Sequence, residues 1–344
     1  MTIKFETFFM TTPFAIPEAM TDPLGRKVDY LRISITDRCN ERCVYCLPEA
    51  FSDWKDRSEI LSYEEILRVV RVATELGFRK FRITGGEPLV RRGVVDLIRK
   101  MSSIPGVQSL SMTTNGTRLA PLAKELRDAG LQSLNISLDA LNPEIYRSIT
   151  HGELEPVLEG IRAALQAGFE RVKLNMVLIR SVNESEIWPL IHFASEHRVT
   201  LRFIELMPVS LTEMLSEENF LPVGEVMKQI ATRDTLVPLE EVFLGHGPAR
   251  YFRLKNMGAT LGFIGAITNL HFCDACNKIR LTADGKLRPC LGNHGEMDLK
   301  SALREVGTPE AVTAVFRRAL AEKPPEHVFR EHYQPDRIMT AIGG

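Results

Sequence analysis

The chain has 344 residues, of which 44% are hydrophobic and 25% are charged. This length provides a full core for one large domain or two ordinary ones, so disulfide cross-links are not needed for folding. Its 43 Lys and Arg residues balance 44 Asp and Glu residues, which argues against a general nucleic-acid-binding protein but not against local binding of a small anion.

The N-terminal segment lacks the features of a targeting signal. Residues 1–22 contain one basic residue, Lys4, and three acidic ones, which fits neither a secretory signal nor a mitochondrial presequence. No apolar stretch is long enough to cross a bilayer. We therefore expect a soluble cytoplasmic protein whose residues 1–23 form a loosely ordered tail, with Met20 as an alternative start.

Short β-rich runs then alternate with amphipathic helical stretches as far as about residue 206. This alternation predicts an α/β fold with a parallel sheet and right-handed crossovers. The run is too short for a complete (βα)₈ barrel, so a partial six-stranded barrel and an open doubly wound sheet both fit. The predicted strands are 31–36, 80–84, 108–113, 133–138, 171–178 and 200–206, and the predicted helices are 62–77, 91–103, 118–130, 143–167 and 184–197.

Capping signals set several boundaries, and the pattern weakens after residue 207. Ser62 followed by Glu65 is typical of a capping box, and Gly77 stands where the first helix should end. Residues 296–321 are again helical in pattern. We predict a main domain over 24–214 and a smaller C-terminal region, 215–344, packed across the open part of the sheet.

All six cysteines fall into two triplets. Disulfide frameworks belong mainly to small secreted domains, so this clustering favours metal or iron–sulfur ligation. The triplets are Cys39-x3-Cys43-x2-Cys46 and Cys273-x2-Cys276-x13-Cys290.

The first triplet follows directly after the first predicted strand. Three thiolates in one loop can bind one inorganic centre, and on a [4Fe–4S] cluster they leave one iron open for chemistry. A structural zinc ion needs four ligands, and the first histidine of the chain is His151, so a local Cys₃His site cannot form. A loop zinc site and chance clustering are the alternatives.

Two motifs around this loop resemble the radical S-adenosylmethionine enzymes. The segment ITDRCNERCVYCLP (35–48) is similar to their CxxxCxxC signature, and Thr84–Pro88 is similar to their GGEP element. Paired glycines at the end of a strand allow a ligand to approach the backbone closely. A plain strand-to-helix turn would also explain the glycines alone.

The second triplet narrows the resemblance. As a zinc site it lacks one ligand, which His271 or His294 could supply. Within HFCDACNKIRLTADGKLRPCLG (271–292) it instead resembles the auxiliary-cluster motif of the GTP 3′,8-cyclase family of molybdenum cofactor biosynthesis. The similarity extends from about Leu24 to the terminal diglycine, through the segments DYLRISITDRCN, FRITGGEPL, TTNGTRL, NISLDAL, LRFIELMPV and IGG.

The resemblance implies a partial six-stranded barrel and a defined reaction. The enzyme would be a lyase-class cyclase that converts GTP to 3′,8-cyclo-7,8-dihydroguanosine 5′-triphosphate, the first step of molybdopterin biosynthesis. Its cofactors would be S-adenosylmethionine and two [4Fe–4S] clusters, one on each cysteine triplet. Reductive cleavage of S-adenosylmethionine would start a radical reaction at C3′ of GTP that closes a bond to C8, and the second cluster would hold the purine.

The resemblance also assigns binding residues by motif position, with no catalytic residue beyond the ligands of clusters and substrates. S-adenosylmethionine would contact Tyr45, Gly86, Ser137 and Met207. GTP would contact Arg32, Arg82, Thr113, Lys173, Lys278, Ile279 and Arg280. Lys278 replaces an arginine that is common in the family, which keeps the charge but loses the planar fork. Gly343 and Gly344 would reach into the active site, whereas a frayed terminus is the simpler reading of a chain end.

The expected partners are GTP, an external one-electron reductant and the cyclic pyranopterin monophosphate synthase that would receive the product. A homodimer is one option, and neither nucleic acid nor a membrane is expected. The alternatives are a peptide-modifying radical enzyme with an auxiliary cluster and a zinc-stabilised scaffold protein without catalysis. Two clusters predict about eight irons and eight acid-labile sulfides per chain, whereas zinc sites predict neither.

Overall fold

The computed structural model describes residues 19–239, 247–331 and 333–343. Its strands are β1 (Met20–Thr21), β2 (Lys27–Val28), β3 (Tyr30–Ser34), β4 (Lys80–Thr84), β5 (Ser109–Thr114), β6 (Ser133–Ser137), β7 (Arg171–Leu178), β8 (Thr200–Glu205), β9 (Leu236–Pro238), β10 (Arg250–Leu254), β11 (Thr260–Ile264), β12 (Lys278–Leu281), β13 (Lys286–Arg288) and β14 (Met297–Asp298). Strand β1, within the predicted tail, pairs with β2, which lies just after it. Residues 1–18 of the predicted tail lie outside the described chain.

The other strands form one sheet in the order β14-β13-β12-β3-β4-β5-β6-β7-β8-β11-β10-β9. Strands β3 to β8 match the six predicted strands and are parallel, which confirms the partial-barrel prediction, and the barrel is not closed. Two strands of the C-terminal region continue it in parallel, because β12 pairs with β3 and β11 pairs with β8. The C-terminal region thus extends both edges of the sheet, and the division at 214/215 stays a prediction.

Ten α-helices accompany the sheet in the described residues, most of them between successive strands. They are α1 (Tyr63–Glu75), α2 (Val94–Ser102), α3 (Ala123–Asp128), α4 (Pro143–Thr150), α5 (Leu154–Gln166), α6 (Ile187–Glu196), α7 (Val223–Ala231), α8 (Leu299–Ser301), α9 (Pro309–Ala321) and α10 (Met339–Ile342). Short 3₁₀ turns occupy Pro88–Val90 and Glu184–Glu186, and Ala302–Val306 form a π-helical segment. None of the described helices is long and apolar enough to cross a membrane.

The single helix predicted over 143–167 is wrong. It is divided into α4 and α5 because His151 caps α4 in the left-handed region, with φ of 53°. The segment predicted at 296–321 is likewise divided, into α8, the π-helical segment and α9. The predicted capping box at α1 is confirmed, since Ser62 accepts from the Glu65 N–H at 3.2 Å and the Glu65 carboxylate accepts from the Ser62 N–H at 2.7 Å.

Alternation along the strands separates an apolar outer face from a polar interior. Leu31, Ile33 and Phe81 are fully buried in the core shared with the helices. The polar positions between them face the interior, where Arg280, Arg32 and Arg82 are register neighbours on β12, β3 and β4. The interior of the curved sheet therefore carries several cations at one level.

Candidate functional site

One cavity of about 670 Å³ in the interior of the sheet brings most of the predicted site together. Its lining includes all six cysteines, the four residues expected to bind S-adenosylmethionine, and every predicted GTP residue except Ile279. The Ile279 side chain is fully buried in the apolar core. A contact between Ile279 and GTP would have to involve its backbone, and it stays a prediction.

The two triplets lie at opposite ends of one pair of neighbouring strands. The first triplet follows the carboxyl end of β3, whereas Cys276 precedes the amino end of β12, which is parallel to β3. Cys290 joins Cys276 because β13 runs antiparallel to β12 and ends beside its start. Strands of four or five residues separate the two ends by on the order of 15 Å. A substrate in the cavity can therefore contact both sites.

The first cysteine loop is held by the end of α4. The N–H groups of Arg42 and Val44 donate to the carbonyls of Thr150 and Ile149, each at 2.9 Å. These carbonyls are free for the loop because α4 stops at His151. The helix break that the sequence did not predict thus positions the first triplet.

Acidic groups surround the first triplet. Burial, together with the nearby carboxylates of Glu87 and Glu41, raises the pKa of Cys39 to about 12. Burial also raises the pKa of Cys43 and of Cys46, with added repulsion between neighbouring thiolates. A cationic iron centre would offset this penalty, because metal binding favours the thiolate form.

Cations surround the second triplet instead. Burial acts to raise the pKa of Cys276, but the Lys323 and Lys278 ammonium groups outweigh it and leave that pKa lowered. Burial raises the pKa of Cys273 and of Cys290. All six cysteines are free thiols in the structure. Two sets of three unpaired thiols fit the donor chemistry of iron–sulfur clusters.

The histidines of the zinc alternative have other partners. His271 Nδ1 lies 2.9 Å from Asp274 Oδ2, and the ring of His294 stacks on Tyr333 at 4.8 Å. Among the residues that the structure describes, no group of three or more His, Cys, Asp or Glu side chains could hold a single metal ion. The fit of a cluster therefore rests on the donor type and on the surrounding cavity.

His327 provides a separate indication of a ligand near the second triplet. Its Nδ1 accepts from the Phe329 N–H at 3.3 Å, which places the proton of the neutral ring on Nε2. Within the described chain this Nε2 is buried without a hydrogen-bond partner, and His327 lines the cavity. A buried donor of this kind is normally satisfied by a polar ligand.

The two glycines of the GGEP element are needed for packing against the cysteine loop. A Cβ at Gly86 would lie 2.3 Å from the Arg38 carbonyl oxygen, and one at Gly85 would lie 2.7 Å from that of Thr36. The Gly86 N–H donates to the Thr36 carbonyl at 2.7 Å. Close approach of two backbones therefore explains the glycines, in addition to any approach of a ligand.

Buried carboxylates organise the end of the cavity near the first triplet. Glu87 accepts from Thr114 Oγ1 and from the Asn115 N–H, both at 2.7 Å, and burial raises its pKa to about 7. Asp139 accepts from the Tyr45 hydroxyl at 2.5 Å, and burial raises its pKa to about 6. Sequence analysis did not single out Asp139, although it follows the NISL strand on which Ser137 was predicted.

Crowded cations form a wall of the cavity along the first and middle parts of the strands. Burial lowers the pKa of Lys173 to about 6, with repulsion from Arg202, Arg82 and Arg171 adding to the shift. Burial also lowers the pKa of Lys278 to about 8. A set of cations that repel one another in a cavity is typical of a site for a polyanion.

Tyr30 and Thr113 orient Arg82 within this wall. The Tyr30 hydroxyl accepts from Arg82 Nε, and Thr113 Oγ1 accepts from Arg82 Nη1 at 3.3 Å. Burial would raise the pKa of Tyr30, but the charges of Arg82 and Arg32 outweigh it and lower the pKa to about 8.

Sequence analysis missed several cations of this wall. The cavity is also lined by Lys80, Arg171, Arg202 and Arg250. Arg202 is 8% exposed and donates to Asn175 Oδ1 at 2.9 and 2.6 Å. It lies between Leu201 and Phe203 on β8, so alternation along that strand is the signal that could have identified it.

The C-terminal tail enters the sheet interior at Gly343. Its carbonyl accepts from Arg280 Nη1 at 2.5 Å, and its φ is +80°. A Cβ at this position would lie 2.9 Å from Ser34 Cβ and 3.0 Å from Thr84 Cγ2. Gly344 lies outside the described residues.

Comparisons with known proteins agree with these features. Residues 33–194 match the Radical SAM superfamily, and residues 199–329 match the family described as Molybdenum Cofactor Synthesis C. Proteins named GTP 3′,8-cyclase from Moorella thermoacetica and Petrotoga mobilis are 46% and 43% identical over 94% of this chain and 100% of their own length.

A solved structure supports the fold alone. The chain resembles Streptococcus suis SuiB bound to its precursor peptide, with a TM-score of 0.59 and 15% identity over 79% of this chain. The match spans 62% of SuiB. The proteins named GTP 3′,8-cyclase are 43% and 46% identical to this chain over their whole length. The chain therefore belongs to the GTP 3′,8-cyclase family of the radical S-adenosylmethionine superfamily.

Proposed function

We propose that this protein is a GTP 3′,8-cyclase that catalyses the first step of molybdenum cofactor biosynthesis. It would convert GTP to 3′,8-cyclo-7,8-dihydroguanosine 5′-triphosphate. The observation that carries the proposal is one cavity lined by two cysteine triplets and by a wall of buried cations. Full-length relatives named GTP 3′,8-cyclase support the same activity.

The radical S-adenosylmethionine family implies one [4Fe–4S] cluster and S-adenosylmethionine, and we assign both to the first triplet. Cys39, Cys43 and Cys46 would hold the cluster, with Tyr45, Gly86, Ser137 and Met207 around S-adenosylmethionine. When bound, the reduced cluster supplies the electron that cleaves S-adenosylmethionine and so starts the radical reaction. The chain's own part is to fix the loop against α4 and to keep Tyr45 in place through Asp139.

We assign a second [4Fe–4S] cluster to Cys273, Cys276 and Cys290, at the end of the cavity where the purine would bind. The triphosphate would lie against Arg32, Arg82, Lys173 and Arg202, with Thr113 holding one end of Arg82. Lys278 and Arg280 line the same cavity from β12, the strand that follows Cys276. The second cluster would thus hold the base of GTP while the cations hold its phosphates. Binding at both ends would fix the orientation of the ribose for the reaction.

The remaining assignments follow from the chemistry. Gly343 and Gly344 would close the cavity beside Arg280 and limit entry of water. Each turnover needs two electrons from an external one-electron reductant: one cleaves S-adenosylmethionine, and one, together with a proton, completes the 7,8-dihydro product. The cyclised nucleotide would pass to the cyclic pyranopterin monophosphate synthase, and the protein would work in the cytoplasm, with a homodimer as its proposed assembly.

Anaerobic turnover tests the proposal directly. The reconstituted protein, dithionite, S-adenosylmethionine and GTP should produce 5′-deoxyadenosine and the cyclised nucleotide, with about eight irons and eight sulfides per chain. Omission of GTP should abolish the cyclised nucleotide. An iron content near four per chain would contradict the assignment of a second cluster. Formation of 5′-deoxyadenosine without any GTP-derived product would contradict the cyclase assignment.

A further inference from the structure

Lys323 makes an unusual set of contacts beside the second cysteine triplet. It follows the end of α9 and is only 4% exposed. Its Nζ donates to Cys276 Sγ at 3.4 Å, to the Lys278 carbonyl at 3.0 Å and to the Pro289 carbonyl at 2.8 Å. An ammonium group has three protons, so these three acceptors match its full donor capacity.

The three acceptors belong to both arms of the triplet. Cys276 and Lys278 lie on the arm that leads into β12, whereas Pro289 precedes Cys290 on the arm that leaves β13. Lys323 therefore connects the arm of Cys276 to the arm of Cys290. None of its three acceptors is a carboxylate, so the buried charge is balanced by carbonyl dipoles and by the sulfur.

A second cation fixes the segment that carries Lys323. Arg26 donates to the Cys273 carbonyl at 3.0 Å and to the carbonyls of Pro324 and Pro325, both at 2.7 Å. The two residues after Lys323 are thereby tied to the loop of Cys273. Lys323 is thus held beside the sulfur by α9, which ends just before it, and by the Arg26 contacts just after it.

We propose that Lys323 is a positioning residue that joins the two arms of the second triplet and raises the reduction potential of the cluster bound there. The proposal rests on the second cluster assigned above. A positive charge and a hydrogen bond at a coordinating sulfur stabilise the more negative, reduced form of a cluster. All three acceptors of Lys323 Nζ belong to the second triplet or to residues beside it. We therefore expect Lys323 to affect the second cluster and not the first.

The test is a redox titration of the reconstituted protein followed by electron paramagnetic resonance. In Lys323→Gln, the ratio of oxidised to reduced second cluster at a fixed potential should rise about tenfold, which is about 59 mV for one electron. The midpoint potential of the first cluster should be unchanged. A variant with all three cysteines of the first triplet replaced by Ser lacks the first cluster, so its remaining resonance signal identifies the second cluster. Lys323→Arg keeps the charge and should shift the ratio less than Lys323→Gln does.

Lys300→Gln is the matched control. Lys300 Nζ donates to the Glu59 carbonyl at 3.4 Å in the same C-terminal region, and this contact involves neither triplet. Both potentials should be unchanged in this variant. Eight irons with an unchanged second potential in Lys323→Gln would overturn the role of Lys323 alone, whereas four irons in the wild-type protein would overturn the second cluster itself.

A measurement without loss of Lys323 covers the case in which Lys323→Gln does not fold. Lys278→Arg protein can be grown with lysine labelled with ¹⁵N at Nζ, so that Lys278 contributes no signal. We expect ¹⁵N hyperfine coupling to the reduced second cluster, arising from the ammonium at Cys276 Sγ. Absence of that coupling in protein with eight irons would overturn the proposal.

Discussion

At the scale of single residues, Arg82 is the cation whose removal is most informative. It is the register neighbour of Arg32 and is oriented by Tyr30 and Thr113. Loss of a charge-assisted contact with the triphosphate costs about 1.5–3 kcal/mol, so Arg82→Ala should raise the KM for GTP about tenfold or more. The KM for S-adenosylmethionine should change little, because Arg82 lies within β4, whereas the predicted S-adenosylmethionine residue Gly86 lies beyond the carboxyl end of that strand.

Arg99→Ala is the control for Arg82→Ala. Arg99 forms an exposed pair with Asp96 on α2 and should leave both KM values unchanged. A normal KM for GTP in steady-state assays of Arg82→Ala would exclude Arg82 from the triphosphate site.

The low pKa of Lys173 predicts uptake of a proton when GTP binds. Burial and the neighbouring arginines lower this pKa to about 6, so the amine is mostly neutral at pH 7. A triphosphate beside it raises the pKa again, and the complex then holds one more proton than the free protein. The affinity for GTP should therefore fall as the pH rises above about 6. Below that pH Lys173 is already charged in the free protein, so its contact with the triphosphate contributes in full and no proton is taken up.

Calorimetry in buffers of different ionisation enthalpy measures this proton. At pH 7, Lys173→Met should take up less of a proton than the wild-type protein, by up to one. The γ-phosphate titrates in both proteins, so the difference isolates the lysine. Equal proton uptake by the two proteins would show that Lys173 does not change its protonation state on binding.

At the scale of elements, the sequence predicted the parts of the fold that depend on local pattern. Strands β3 to β8 agree with their predicted bounds within about two residues, because runs of alternating apolar residues end at clear turns. The break at His151 was missed because the helical pattern continues across it, and the pattern does not show that His151 adopts the left-handed conformation, which is uncommon for residues other than glycine.

The strands β11 and β12 could not be predicted for a different reason. They are short, and their partners β8 and β3 lie about 60 and 250 residues earlier in the chain. Motif resemblance found several cations on named motifs, but Arg202 was missed although it lies in the LRFIELMPV segment, because its inward position on β8 becomes visible only when that strand is paired in the sheet. These strands and the position of Arg202 depend on pairing between distant parts of the chain, which a short stretch of sequence does not show.

The tail after α10 predicts a steric effect at Gly343. A Cβ there would meet Ser34 and Thr84 at 3.0 Å or less, and the φ of +80° is unfavourable for alanine. Gly343→Ala should displace the tail and lose the contact with Arg280, so formation of the cyclised nucleotide should fall about tenfold or more. Deletion of residues 343–344 should have the same effect, with iron content and melting temperature preserved because the described residue of this pair, Gly343, lies beside Arg280, Ser34 and Thr84.

Gly168→Ala separates backbone strain from the clash. Gly168 has a φ of +73°, but no atom lies within 4 Å of a Cβ built there. This variant should lose a little stability and keep its activity. Full-rate product formation by Gly343→Ala would show that the tail is dispensable for the reaction.

At the scale of the whole molecule, the chain places opposite electrostatic environments at the two ends of one cavity. Carboxylates of Glu41 and Glu87 lie near the first triplet, and the ammonium groups of Lys323 and Lys278 lie near the second. The C-terminal region creates this contrast, because β12 carries its cations to the edge of β3. Neither half of the chain would form the site alone.

The two ends should therefore fail differently when one thiolate is removed. Cys43→Ser leaves the first cluster with two thiolates, so cleavage of S-adenosylmethionine and formation of the cyclised nucleotide should both disappear. Cys276→Ser leaves the first triplet and its contacts with α4 intact. It should keep measurable cleavage of S-adenosylmethionine but make no cyclised nucleotide, because the second cluster, which we propose holds the purine, has lost one of its thiolates.

Iron analysis and product chromatography distinguish these outcomes. Each variant should hold about four irons per chain, and each serves as the control for the other, since both lose one thiol from one triplet. 5′-Deoxyadenosine should be absent from Cys43→Ser and present with Cys276→Ser. If instead both variants cleaved S-adenosylmethionine at the wild-type rate and made cyclised nucleotide, the separate roles assigned to the two ends of the β3–β12 strand pair would be wrong.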